Sequence, residues 1–146
     1  MVAVRDLSLD VAPGQVYGLL GPNGSGKSTT MKIILGLVTA TRGETMIFGR
    51  DSRETGSREQ VGFLPENPYF YKFLTGKETL RFYGKLCGLS GKGFEQRIKE
   101  LLEMVGLSEA ADRRLGGYSK GMLQRIGLAQ ALVQDPKKLT CREATV

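Results

Sequence analysis

Residues 21–29 read Gly21-Pro22-Asn23-Gly24-Ser25-Gly26-Lys27-Ser28-Thr29, and little else in the chain limits its fold so sharply. They satisfy the pattern G-x-x-x-x-G-K-[ST] in full. An apolar run at 16–20 precedes them and an amphipathic run at 31–38 follows, which is the strand and helix context the pattern requires. Gly21, Gly24 and Gly26 lack a Cβ, so the backbone can turn its N–H groups inward around a phosphate. A helix beginning near Lys27 adds its unpaired first-turn N–H groups and the positive end of its dipole. Lys27 supplies a full charge to the β- and γ-phosphates, the Ser28 hydroxyl is placed to ligate Mg²⁺, and Thr29 reaches the α-phosphate. The bland alternative, a glycine-rich turn with a solvated lysine, is disfavoured because the match falls at a strand-to-helix junction. The loop alone does not choose among kinases, GTPases and ATPases.

At 146 residues the chain suffices for one modest domain, or part of one. Its hydrophobic share of 40% and charged share of 25% are those of a globular protein. No apolar run approaches the ~20 residues of a membrane span, and residues 1–12 lack the basic start and hydrophobic core of a leader, so a cytosolic chain is expected. The net charge of +6 raises the question of nucleic acid, yet the basic residues are scattered, and no nucleic-acid partner is expected. Cys87 and Cys141 have no CxxC spacing and fit a reducing compartment. Cys87 is expected as a small buried hydrophobe on a helix.

Along the chain, Val2, Val4, Leu7, Leu9 and Val11 suggest strand with a slip in alternation near Asp6, and 15–20 reads as a strand buried on both faces. The helix after the loop is expected to bury Met31, Ile34, Leu35 and Val38. A short strand over 44–48 and a polar, turn-rich stretch over 50–60 precede a strand at 61–64, closed by Pro65 with Glu66 at its tip. Residues 67–73 carry Tyr69, Phe70, Tyr71 and Phe73, which suit either core packing or a docking patch.

Thr75 and Glu78 form a T-x-x-E capping box opening a helix on which Thr79, Phe82, Tyr83, Leu86 and Cys87 share a face. A second helix near 94–105 buries Phe94, Ile98, Leu101, Leu102 and Val105 and stops at Gly106. Ser108 can cap a short third one. Ser119 caps a helix to about Gln134, with Pro136 marking its stop, and 137–146 fit no element well.

Three segments, GPNGSGKST at 21–29, VGFLPENPYFY at 61–71 and YSKGMLQRIGLAQALVQDP at 118–136, together resemble the ATP-binding subunit of ABC transporters, closest to the branch serving ABC-2 type exporters. The resemblance runs over nearly all of 2–136. It implies an α/β P-loop NTPase fold, a partial domain with a mixed sheet around the phosphate-loop helix and a helical subdomain. The expected division is a sheet core at 1–73, the helical subdomain at 74–117, a signature helix at 118–136 and a non-matching tail at 137–146.

The resemblance also implies roles. Gly21, Pro22, Asn23, Gly24, Ser25, Gly26, Lys27, Ser28 and Thr29 would bind ATP and Mg²⁺, with Ser28 and Glu66 as metal contacts and Lys27 and Glu66 as catalytic groups. Glu66 stands where most of the family has glutamine, and a carboxylate there brings negative charge near the γ-phosphate. Tyr118 to Met122 stand at the family's LSGGQ signature. Ser119, Lys120 and Gly121 would touch the γ-phosphate held by a second ATP-binding subunit, so a dimer with two ATP molecules at its interface is implied. The remaining partner would be a transmembrane permease subunit, placing the protein in the cytoplasm on the inner face of the membrane and making it part of an export motor.

The family's apolar strand ending in Asp-Glu does not follow Pro136. The chain reads KKLTCREATV there, and the histidine count of zero leaves no switch histidine. No aromatic residue precedes Tyr17 to stack on adenine. The alternative to an active ATPase is therefore a truncated nucleotide-binding fragment without ATP turnover, broken near Lys138 by truncation or a frame change.

Overall fold

The computed structural model describes residues 3–136 and, as backbone only, 138–141. The chain divides into two compact units, Met1–Glu59 and Gln60–Val146. Its strands form two separate two-stranded ladders, one antiparallel and one parallel. Among the described residues four α-helices accompany them in an α/β arrangement, and no helix is long and apolar enough to cross a membrane.

The first unit contains helix α1 (Lys27–Ile34) and a hairpin of β1 (Met46–Ile47) and β2 (Arg50–Asp51). The hairpin turns through Phe48 and Gly49 at φ 49° and 76°, the two positive values a type I′ turn needs to match strand twist. The strand expected at 44–48 is thus two residues long, and its partner lies in a stretch read as turn. α1 ends at Ile34 and the chain leaves through left-handed Gly36, so Leu35 is buried but Val38 is exposed, against expectation.

The larger correction concerns 15–20. This run has no assigned strand and carries no ladder among the described residues, and Val16 and Leu20 are 101% and 93% exposed. Residues 3–11 likewise form no strand, and Val2 lies outside the described residues. Apolar β-formers need a neighbour's hydrogen bonds to become a sheet strand, and propensity supplies none.

The second unit is built on α2 (Gly76–Leu86), α3 (Gly91–Met104) and α4 (Lys120–Ala131), with β3 (Val61–Leu64) parallel to β4 (Lys138–Cys141). β4 falls where the sequence pattern indicated no element. Its pairing places Val61 opposite Lys138 and Leu64 opposite Cys141, and the ladder accounts for a segment too polar to be read as a buried strand. The core of the unit joins Leu80 of α2, Ile98, Leu101 and Leu102 of α3, and Ile126 and Ala129 of α4. At about 25 cal/mol per Å² of apolar surface, burial of these leucine and isoleucine side chains supplies roughly 1.5–3 kcal/mol each.

The capping box forms as expected. The Glu78 N–H donates to Thr75 Oγ1 at 3.1 Å, and the Thr75 N–H donates to Glu78 Oε2 at 2.9 Å. Thr75→Ala should cost about 1 kcal/mol of unfolding free energy in a urea titration. The Thr75 N–H holds the Glu78 carboxyl below its ordinary pKa. Stability from this bond is therefore full above the unfolded glutamate value of about 4.3 and is lost as pH falls through the lower folded value. Glu78→Gln should flatten that acid-side decline in a pH series of urea midpoints.

The buried stripe of α2 differs from the expected one: Gly76, Thr79, Leu80 and Gly84 are inside, while Phe82, Leu86 and Cys87 are exposed. The cause is Gly84. A Cβ there would overlap the Phe94 ring, so the missing side chain admits α3 on that face and turns Cys87, the helix C-cap, outward. Arg81 crosses the same contact, with Nε and Nη2 donating to Glu95 Oε1 and Oε2 at 2.6 and 2.7 Å.

α3 and α4 close each other's carboxyl ends. Arg125 Nη1 donates to the carbonyls of Val105 and Gly106 at 3.1 Å each, and Arg97 Nη2 donates to Leu132 O at 3.2 Å. α4 stops at Ala131, short of the expected Gln134. Leu107, not Ser108, stands before the short turn Ser108–Ala110, with no side-chain cap.

Candidate nucleotide site

The phosphate loop enters α1 through Gly26, the N-cap, at φ 88°, with Gly24 at φ 84°. Both values are left-handed and costly for any residue with a Cβ. The first helical hydrogen bond at this end runs from Thr30 N–H to Gly26 O at 2.8 Å. The N–H groups of Lys27, Ser28 and Thr29 therefore precede the intrahelical pattern, and a glycine cap has no side chain to accept from them. No acidic residue occupies the first turn. Among the described residues no side chain caps this helix start, which suits an external anion.

The Lys27 ammonium folds back on the loop, donating to the carbonyl of Gly21 and to Pro22 O at 2.8 Å, while Ser25 N–H donates to Pro22 O at 3.2 Å. The charge thus stands over the loop, held there by two neutral carbonyls. A cavity of about 370 Å³ opens alongside, lined by Leu19, Leu20, Gly21, Ser25 and Lys27 among others. Glycine-lined backbone, an uncapped helix start and one ammonium form a donor set that fits a triphosphate, and half-buried Ser28 and Thr29 bring hydroxyls to the first turn. Among the described residues no cluster of three His, Cys, Asp or Glu side chains could hold a metal by itself.

In the second unit, Ser119 is the N-cap of α4, its Oγ accepting from Met122 N–H at 3.3 Å. That bond uses a lone pair and leaves the hydroxyl proton to donate. Lys120 and Gly121 follow on the exposed first turn, which holds no acidic residue, and a Cβ at Gly121 would meet nothing within 4 Å. A second helix start is therefore open to an anion, with a lysine in place of a second glycine.

Glu66 lies just beyond the carboxyl end of β3, past Pro65, and is half-buried. That is the end of a parallel strand where open sheets place ligands. Tyr69, Tyr71 and Phe73 are exposed while Phe70 packs against the core, so one of the four aromatics is a core residue and three are surface. Tyr71 stacks edge-on to Phe82 at 5.6 Å, and a cavity of about 480 Å³ is lined by Tyr69, Phe70, Tyr71, Phe82, Tyr83 and Leu86.

One residue beside Ser119 carried no signal in the sequence. Tyr118 appeared there only as a letter of the signature segment, yet it is buried and its hydroxyl donates to Ala110 O at 2.6 Å. Its partner is close in sequence, but the slot it fills depends on Gly76, far away in the chain, and no local signal marks that pair.

The ABC transporter family pattern matches residues 4–146. The uncharacterized ABC transporter ATP-binding protein YxlF of Bacillus subtilis is 45% identical over 141 residues, covering 97% of this chain and 47% of that protein. The Nod factor export ATP-binding protein I of Cupriavidus metallidurans is 39% identical over 146 residues, covering 99% and 48%. The solved structure of an ATP-binding subunit of an ABC transporter superposes with a TM-score of 0.73 at 34% identity, covering 84% of this chain and 52% of that one. The chain spans about half the length of the curated relatives it matches. On a family match over nearly its whole sequence, this chain belongs to the ABC transporter family of ATP-binding proteins.

Proposed function

We propose that this chain is the Mg-ATP-binding portion of the ATP-binding subunit of an ABC transporter of the ABC-2 export branch, working on a separate transmembrane permease from the cytoplasmic face. The observation that carries the reading is the glycine-capped start of α1 with Lys27 folded over the loop. Backbone N–H groups of the loop and first turn orient the phosphates, and Lys27 trades carbonyl oxygens for β- and γ-phosphate oxygens. Ser28 would be a ligand of magnesium, which supplies charge neutralisation at the phosphates when bound. Ser119, Lys120 and Gly121 would close on the γ-phosphate of a second ATP-binding subunit, the Ser119 hydroxyl donating while its lone pair keeps the helix capped. The name of the Nod factor export relative supports the export direction. The exposed aromatics at 69–73 with Phe82 and Leu86 supply the apolar surface for a cytoplasmic helix of the permease.

A second reading, binding without steady turnover, is favoured by β4. Its sequence is Lys138-Leu139-Thr140-Cys141, followed by Arg142, and offers no paired carboxylates to hold metal and polarise water. A radiolabelled ATP-binding assay beside a phosphate-release assay separates the two, with Lys27→Ala as control. Binding with release decides for the motor, binding alone for the second reading, and no lysine-dependent binding overturns both.

A further inference from the structure

Tyr118 sits one residue before Ser119, and its ring and hydroxyl are held from two sides. Its hydroxyl donates to Ala110 O at 2.6 Å, the Arg113 guanidinium lies over its ring at 5.7 Å, and Arg113 also donates to the carbonyl of Gly117. The segment carrying it is strapped to the start of α2. Leu115 N–H donates to Leu74 O at 2.8 Å, Gly116 N–H to Lys72 O at 2.9 Å, and Lys77 N–H to Ala111 O at 3.0 Å. A Cβ at position 76 would overlap the Tyr118 hydroxyl, while the next ring atom, Cζ, is 3.4 Å from that point. Burial pushes the Tyr118 hydroxyl above the ordinary tyrosine pKa, so it stays protonated and donating.

We propose that Tyr118 is a positioning residue for the phosphate site at the start of α4: its hydroxyl, seated on Ala110 O in a slot that glycine at 76 keeps open, sets where Ser119 caps the helix. The functional value of this positioning rests on the reading of Ser119 given above. The strap makes that cap answer to the first turn of α2, next to the exposed aromatic segment. Glycine at 76 and tyrosine at 118 thus form one matched pair.

The test is amide hydrogen exchange on the full chain, read at Met122, whose N–H bonds Ser119. Tyr118→Phe should speed Met122 exchange about fivefold, the equivalent of about 1 kcal/mol for one hydrogen bond, with the Ile98 amide unchanged. Gly76→Ala should produce at least that acceleration. In Gly76→Ala/Tyr118→Phe, exchange should return to the level of Tyr118→Phe alone, because the phenyl ring leaves the added methyl in ordinary contact. Should Gly76→Ala fail to fold, recovery of a cooperative melt in the double variant supports the pairing and its absence overturns it. Wild-type Met122 exchange in Tyr118→Phe, or a double variant faster than both singles, also overturns it. A Ser119→Ala chain that still pairs with Mg-ATP like wild type would remove the reading of Ser119 and leave the Tyr118 effect on exchange standing.

Discussion

Lys27→Ala is expected to weaken Mg-ATP binding by about 10- to 140-fold in isothermal titration calorimetry. The ammonium is the one full positive charge in the nine-residue loop, and the contacts it would make to phosphate oxygens are charge-assisted. Hydrogen bonds to charged groups contribute roughly 1.5–3 kcal/mol net, and about 1.4 kcal/mol is tenfold in affinity. Within the chain the same group donates to the carbonyls of Gly21 and Pro22 at an exposed site, so the variant should melt close to wild type. A variant that binds Mg-ATP as tightly as the parent would remove the phosphate loop from the site.

Ile98→Ala should cost about 2–5 kcal/mol in urea unfolding of the second unit, followed by far-UV circular dichroism. Ile98 has no exposed surface and lies in the cluster joining α2, α3 and α4, so truncation both forfeits transfer free energy and leaves a hole between three helices. Small domains hold only about 5–15 kcal/mol in total, so such a loss takes a large share of the stability. A midpoint unchanged from wild type would mean that this cluster does not hold the unit together.

What could be read in the residues was local. The Thr75–Glu78 box, the strand at 61–64, the buried positions of α3 and the Ser119 cap each depend on chemistry within four residues or on one hydrophobic period, and each formed as expected. What could not be read depended on distant neighbours. Residues 15–20 have strand composition but no ladder among the described residues, and β4 is a strand despite its polarity because β3 offers a parallel edge. The periodicity of α2 was visible, but its inward side was set by Gly84 accepting the Phe94 ring, which turned Cys87 to the surface. The phosphate loop was legible because its chemistry is carried by consecutive residues. Tyr118 was not, because its slot is made by a glycine 42 positions earlier in the numbering.

The mutual closure of α3 and α4 by Arg97 and Arg125 governs how this helical pair can move. Two rods whose far ends are each gripped by the other cannot telescope: an axial slide of either would tear both grips at once. Both grips therefore resist an axial push on the pair, which favours movement of the two helices as one block with Ser119 carried at the tip of α4.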